Sequence, residues 1–153
     1  MEYNNNLNNK LSNLELIDAS GREVNLELLS NKFAIAIIGF GMDSIDEAAK
    51  INEYIYQKYK NDENIVVFMV ARTGAMPFFV PRKFVRSEVA KRIQKDEISL
   101  IDFDDKIIGA LNVDIEDILT CIKVFDNNGE ERLSMYNVQL EEAVKEIENI
   151  LEV

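Results

Sequence analysis

The sequence predicts an α/β fold, a central sheet flanked by helices, and three observations carry that prediction. At 153 residues with 47% apolar composition and only 6 Gly and 2 Pro, the chain is long enough to bury a sizeable core and too regular for a disordered or fibrous class. Phe33–Phe40 and Ile65–Ala71 are continuous apolar runs of strand length, the pattern of strands covered on both faces. Between and after them the apolar period changes to that of a helix, most cleanly at Leu140, Ala143, Val144, Ile147, Ile150 and Leu151. Residues 1–12 are Asn-rich and read as a flexible tail, with 13–153 as a single domain.

The remaining elements follow in order. Leu14–Asp18 is expected as a short strand turning at Gly21, and Val24–Leu29 as a short strand or helical turn. After Phe40, Ser44-Ile-Asp-Glu47 has the spacing of a capping box, which would make Ser44 the N-cap of a helix burying Ala48, Ile51, Ile55 and Tyr59. A loop with Gly74, Pro77 and Pro81 leads to a helix over Phe84–Lys95, with Val85, Val89 and Ile93 on one face. Ile98–Phe103 is a strand, and Asp105–Leu111 a short helix or turn. Thr120–Asp126 and Glu131–Met135 then form a hairpin about Asp126-Asn-Asn-Gly129.

Composition excludes much chemistry. The chain has no His and no Trp, and Cys121 is its only cysteine. An imidazole base, a Ser-His-Asp or Cys-His mechanism, an intramolecular disulfide and a Cys-rich metal site are therefore all out of reach of this chain alone. A net charge of −11 disfavours general binding to nucleic acid or anionic membrane. The opening decapeptide lacks the apolar core of a signal peptide, so cytoplasmic residence is the expectation. Against the acidic background, the window Arg72–Lys95 holds seven bases and one acid, Glu88. Such a patch suits an acidic protein partner or self-association, with a homodimer as one form.

Four stretches, in order, resemble the thioredoxin fold in its redoxin or peroxiredoxin-like branch. They are Leu16–Val24 with its Asp-Ala-Ser-Gly turn, Phe33–Glu47, Ser99–Val113 with Asp102 and Gly109-Ala-Leu-Asn-Val, and Thr120–Gly129 with its Phe-Asp-Asn-Asn-Gly end. The resemblance implies a central mixed sheet flanked by helices. It also implies a redox site at the start of the first long helix, where the helix dipole and free amides stabilise a thiolate. In this sequence Ser44 falls where the first cysteine of that site would be, and Glu47 where a second would be. The cis-proline that accompanies the site aligns with Leu119, ahead of Thr120, and a non-proline Ile118–Leu119 bond is expected to be trans. Asp43, Ser44, Glu47, Leu119 and Thr120 thus read as the positions of a site that has lost its thiol chemistry. Cys121, inside a predicted central strand, reads as a small buried hydrophobe. The alternative function is a thiol-dependent oxidoreductase using Cys121 with an external thiol.

Two further features bear on binding. Met76, Phe78 and Phe79 sit in a connection that runs into Arg82, Lys83 and Arg86, the mix of residue types that interface cores favour. Gly39-Phe-Gly41 between strand and helix could turn amides toward an anion, which makes a small-ligand or anion carrier over Gly39–Glu47 a weaker alternative. The acids at Asp102, Asp104 and Asp105 and at Asp114, Glu116 and Asp117 lack the glycine and closing glutamate of a calcium loop and read as polar turns. No metal and no cofactor is expected.

Overall fold

A computed structural model of the chain describes residues 7–29, 31–73, 79–114 and 119–152, without the side chains of Met42 and Asp43. Its centre is a mixed five-stranded sheet. The strands are β1 (Phe33–Phe40), β2 (Ile65–Arg72), β3 (Ile98–Asp102), β4 (Thr120–Phe125) and β5 (Glu131–Tyr136). They lie in the order β3-β2-β1-β4-β5. β1, β2 and β3 run parallel, β4 pairs antiparallel with β1, and β5 antiparallel with β4. The helices are α1 (Leu7–Leu11), α2 (Met42–Tyr59), α3 (Arg82–Ala90), α4 (Lys106–Ala110) and α5 (Leu140–Leu151).

The side-chain alternation of β1 and β2 divides the core into two layers. Ala34, Ala36, Ile38, Val66, Phe68 and Val70 face one side, packed by Leu7 and Leu11 of α1, Leu29, and Ile107 and Ile108 of α4. Ile35, Ile37, Val67 and Met69 face the other, under Ile45, Ala48, Ile51 and Ile55 of α2, Val89 of α3, and Ala143 and Ile147 of α5. Small residues in β1 answer large ones beside them: Ala36 lies in register with Phe68, and Ala34 with Phe125. Both central strands are buried along nearly their whole length, as continuous apolar runs require.

Several expectations are corrected here. The strand at Leu14–Asp18 reduces to a single bridge, Ile17 to Glu23, because the Asp18 carboxylate draws the Ser20 and Arg22 amides (each 2.9 Å) into a tight turn. Val24–Leu29 takes the second of its two expected forms, a helical turn, as a 3-10 helix at Leu26–Leu29. Within the expected tail, Leu7–Leu11 is helical and buries Leu7 and Leu11, anchored by the Leu7 N–H donating to Gly129 O at 2.8 Å. α3 begins directly after Pro81 and ends at Ala90, so Ile93 packs from outside the helix. No helix among the described residues is long and apolar enough to cross a membrane.

Candidate functional site

The carboxyl ends of β1 and β2 and the start of β4 meet at one edge of the sheet. Their local geometry begins with two glycines. A Cβ on Gly39 would lie 3.0 Å from Ala48 Cβ, 3.1 Å from Ser44 O and 3.2 Å from Ile45 Cα, so only hydrogen lets α2 sit this close to β1. Gly41 has φ 89° and ψ 168°, a conformation open essentially to glycine alone, and it is the N-cap of α2. The strand therefore passes into the helix through one residue.

This corrects the capping box. Ser44 is the third residue of α2 rather than its N-cap; it is buried, and no side-chain hydrogen bond caps the helix. The glycine turn starts the helix earlier than the Ser-x-x-Glu pattern suggests. The amides proposed for an anion are also engaged. Phe40 N–H donates to Leu119 O at 3.0 Å and Gly41 N–H to Arg72 O at 3.3 Å.

Ser44 and Glu47 nonetheless face Leu119 and Thr120. All four line a cavity of about 450 Å³ that Asn137, Val138 and Gln139 complete from the β5–α5 connection. The tertiary structure thus brings together four of the five positions singled out in the sequence; the side chain of the fifth, Asp43, lies outside the described residues. Leu119 is 62% exposed beside the cavity. Ile118 also lies outside the described residues.

Sequence reasoning missed Asn137, which holds this site in shape. Its side-chain carbonyl accepts the N–H of Leu119 at 2.8 Å and of Thr120 at 3.1 Å. Its own N–H donates to Thr120 O at 2.9 Å, and its backbone is left-handed at φ 54°. A proline at position 119 would have no N–H to give; here the Leu119 amide is used. The readable signal was an Asn between a strand and a helix, since Asn tolerates positive φ better than most residues.

Arg72 organises the neighbouring stretch of the edge. Its guanidinium meets the Asp105 carboxylate twice, at 2.9 and 3.1 Å, and lies 5.8 Å from the centre of the Phe40 ring. Hydrogen bonding to Asp105 raises the Arg72 pKa further. Asp102, buried at the end of β3, accepts the N–H of Lys106 at 3.0 Å and of Ile108 at 2.9 Å, so it fixes the start of α4. Burial pushes its carboxyl pKa up, against those amides. Asp102 and Asp105 serve as structural turn residues; Glu116 and Asp117 lie outside the described residues. Among the described residues no group of acidic, cysteine or histidine side chains could hold a metal ion.

Cys121 is fully buried in β4, opposite Ile38 of β1 and Tyr136 of β5. Alternation along the strand sends Thr120 to the cavity and Cys121 into the other core layer. Burial raises its thiol pKa to about 11.

The basic window is largely matched by acids. Arg72 pairs with Asp105, Arg82 with Asp104 at 3.3 Å, and Lys91 with Glu88 at 3.0 Å, while Arg92 bridges Asp46 and Glu88. The Arg82 guanidinium also stacks 4.5 Å from the Phe103 ring centre. Arg86 packs near Gly21, and Lys83 is exposed. Phe79 is 74% and Phe84 53% exposed at the start of α3. Met76 and Phe78 lie outside the described residues.

No protein-family model matches the chain, and no curated protein matches its sequence. Solved structures do match its fold. A secreted Mycobacterium tuberculosis disulfide oxidoreductase homologous to E. coli DsbE superposes with a TM-score of 0.67 at 14% identity, covering 92% of this chain and 98% of that one. The exposed lipoprotein thioredoxin of Streptococcus pneumoniae gives 0.68 at 14% identity, over 89% and 98%. A thiol-disulfide oxidoreductase from Bacteroides fragilis gives 0.60 at 14% identity, over 88% and 96%. Strand order, flanking helices and these superpositions agree on one conclusion: the chain has the thioredoxin fold.

Proposed function

We propose that this protein is a thioredoxin-fold member of the redoxin branch that binds another protein at the α2 edge without performing thiol chemistry there. One observation carries the reading. The cavity at the start of α2 gathers Ser44, Glu47, Leu119 and Thr120, and the chain's only sulfhydryl points away from it into the core. A thiol nucleophile needs an accessible, stabilised thiolate, and neither the burial of Cys121 nor its raised pKa supplies one. Exposed Leu119 and the polar rim around it give a partner something to cover. Phe79, Phe84, Lys83 and Arg86 offer a second surface, suited to an acidic partner or a second copy.

The rival reading, an oxidoreductase using Cys121 with an external thiol, predicts rapid labelling. Iodoacetamide should modify the native protein at least a hundredfold more slowly than the urea-unfolded chain, by roughly the population of open states. Insulin-disulfide reduction with dithiothreitol as electron source should stay at the uncatalysed rate. Turnover that Cys121→Ser abolishes would overturn the proposal. The cavity also has room for a small ligand, which native mass spectrometry of the purified protein would detect.

A further inference from the structure

The reading that the α2-edge cavity binds protein leaves the partner's chemistry open, and the lining residues narrow it. Resting on that reading, we propose that the occupant is a protein segment carrying a lysine or arginine beside an aliphatic side chain. Among the described residues, Glu47 is the one charged residue lining the cavity. It is exposed and makes no ion pair among the described residues. Glu47 is exposed and lines the cavity on a chain of net charge −11, so an approaching cation is attracted at long range and paired on arrival.

The second half of the specificity comes from the opposite wall. Leu119 is 62% exposed while the adjacent Thr120 is buried, so at the start of β4 an aliphatic side chain is presented to solvent beside the cavity. Asn137 fixes that presentation through two N–H bonds, which lowers the ordering needed on binding. Covering Leu119 rewards an apolar group; pairing Glu47 rewards a cation. A free polyamine would satisfy Glu47 and leave Leu119 wet, whereas a peptide with both groups satisfies both walls. Ser44, Thr120 and Gln139 add polar groups between them.

The test uses short fluorescein-labelled peptides of alternating Lys–Leu, Glu–Leu and Lys–Ser, titrated against the whole protein, with backbone amide NMR shifts locating the contact. The expected result is tightest binding by Lys–Leu, with the amides of Leu119, Thr120 and Asn137 moving. Glu47→Gln and Leu119→Ser, both at exposed positions, should each weaken it about five- to tenfold. Glu142→Gln, an exposed acid on α5, should change it less than about twofold. Equal binding by Glu–Leu, equal loss in Glu142→Gln, full competition by spermidine, or a dimer that Glu47→Gln dissociates would each overturn the proposal while sparing the binding site. If no peptide moves those amides, the underlying site reading fails instead.

Discussion

At Cys121 the residue scale decides between a reactive and an inert sulfur. Burial is the leading cause of its raised pKa, and the neighbouring Lys123 only partly offsets it. A group that resists ionisation only when folded contributes fully below its unfolded pKa and loses that contribution as pH climbs. Stability should therefore hold up to about pH 9 and decline toward pH 11, the span between the free and folded thiol values. Cys121→Ala removes this slope, and by pH 10 the wild type should have lost roughly 1 kcal/mol that the variant does not lose. Urea midpoints at pH 8 and pH 10 measure it, and parallel losses would show that the thiol is not the titrating group. Gly41 makes the same point about legibility. The Ser-x-x-Glu spacing is a true helix-start signal, but it could not show that Gly39 brings the backbones together and that Gly41 caps the helix three residues earlier.

At the element scale, the β4–β5 hairpin contains an ion pair that the sequence did not announce. Lys123 lies inside a buried strand with its side chain 3% exposed, and its ammonium meets Glu131 of β5 at 2.5 Å. Its place opposite Ala36 gives the long side chain room in the sheet face. Removing Glu131 leaves that charge uncompensated. Glu131→Ala should cost about 2–3 kcal/mol, below the ~3–5 kcal/mol of a fully buried pair because Glu131 itself is partly solvated. Lys123→Met, which removes the charge that needs a partner, should cost less. Urea unfolding of both variants checks the order, and the reverse order would mean that the lysine stem rather than the pair holds the hairpin. Apolar periodicity identified the strands; it says nothing about which polar residue an apolar strand can absorb, since that depends on the facing strand.

Across the whole molecule, charge is distributed between an acidic surface and a set of exposed cross-element pairs, Lys58 with Glu148 and Arg92 with Asp46 among them. Exposed pairs are worth about 0–1 kcal/mol each, while a net charge of −11 works against compaction through self-repulsion. Salt screens both. The repulsion acts over the entire surface, so raising NaCl from 10 mM to 0.5 M should stabilise the protein by about 1 kcal/mol, or roughly 2–4 °C in Tm for a chain of this size. A falling Tm over that range would show that the pairs outweigh the repulsion.

What the sequence determined by itself is the long elements of the sheet and its covering helices, and their burial. Apolar runs of strand length rich in β-branched residues read as covered strands, and the stripes of α2 and α5 as helices packed on them, because these periods follow from backbone geometry. It also marked Ser44, Glu47, Leu119 and Thr120 individually. That they line one cavity, that Asn137 clamps its rim, and that Cys121 turns away from it were decided only by the tertiary structure. Proximity between residues that lie seventy or more positions apart arises from strand order and register, and these are settled by the packing of the whole sheet rather than by any local pattern.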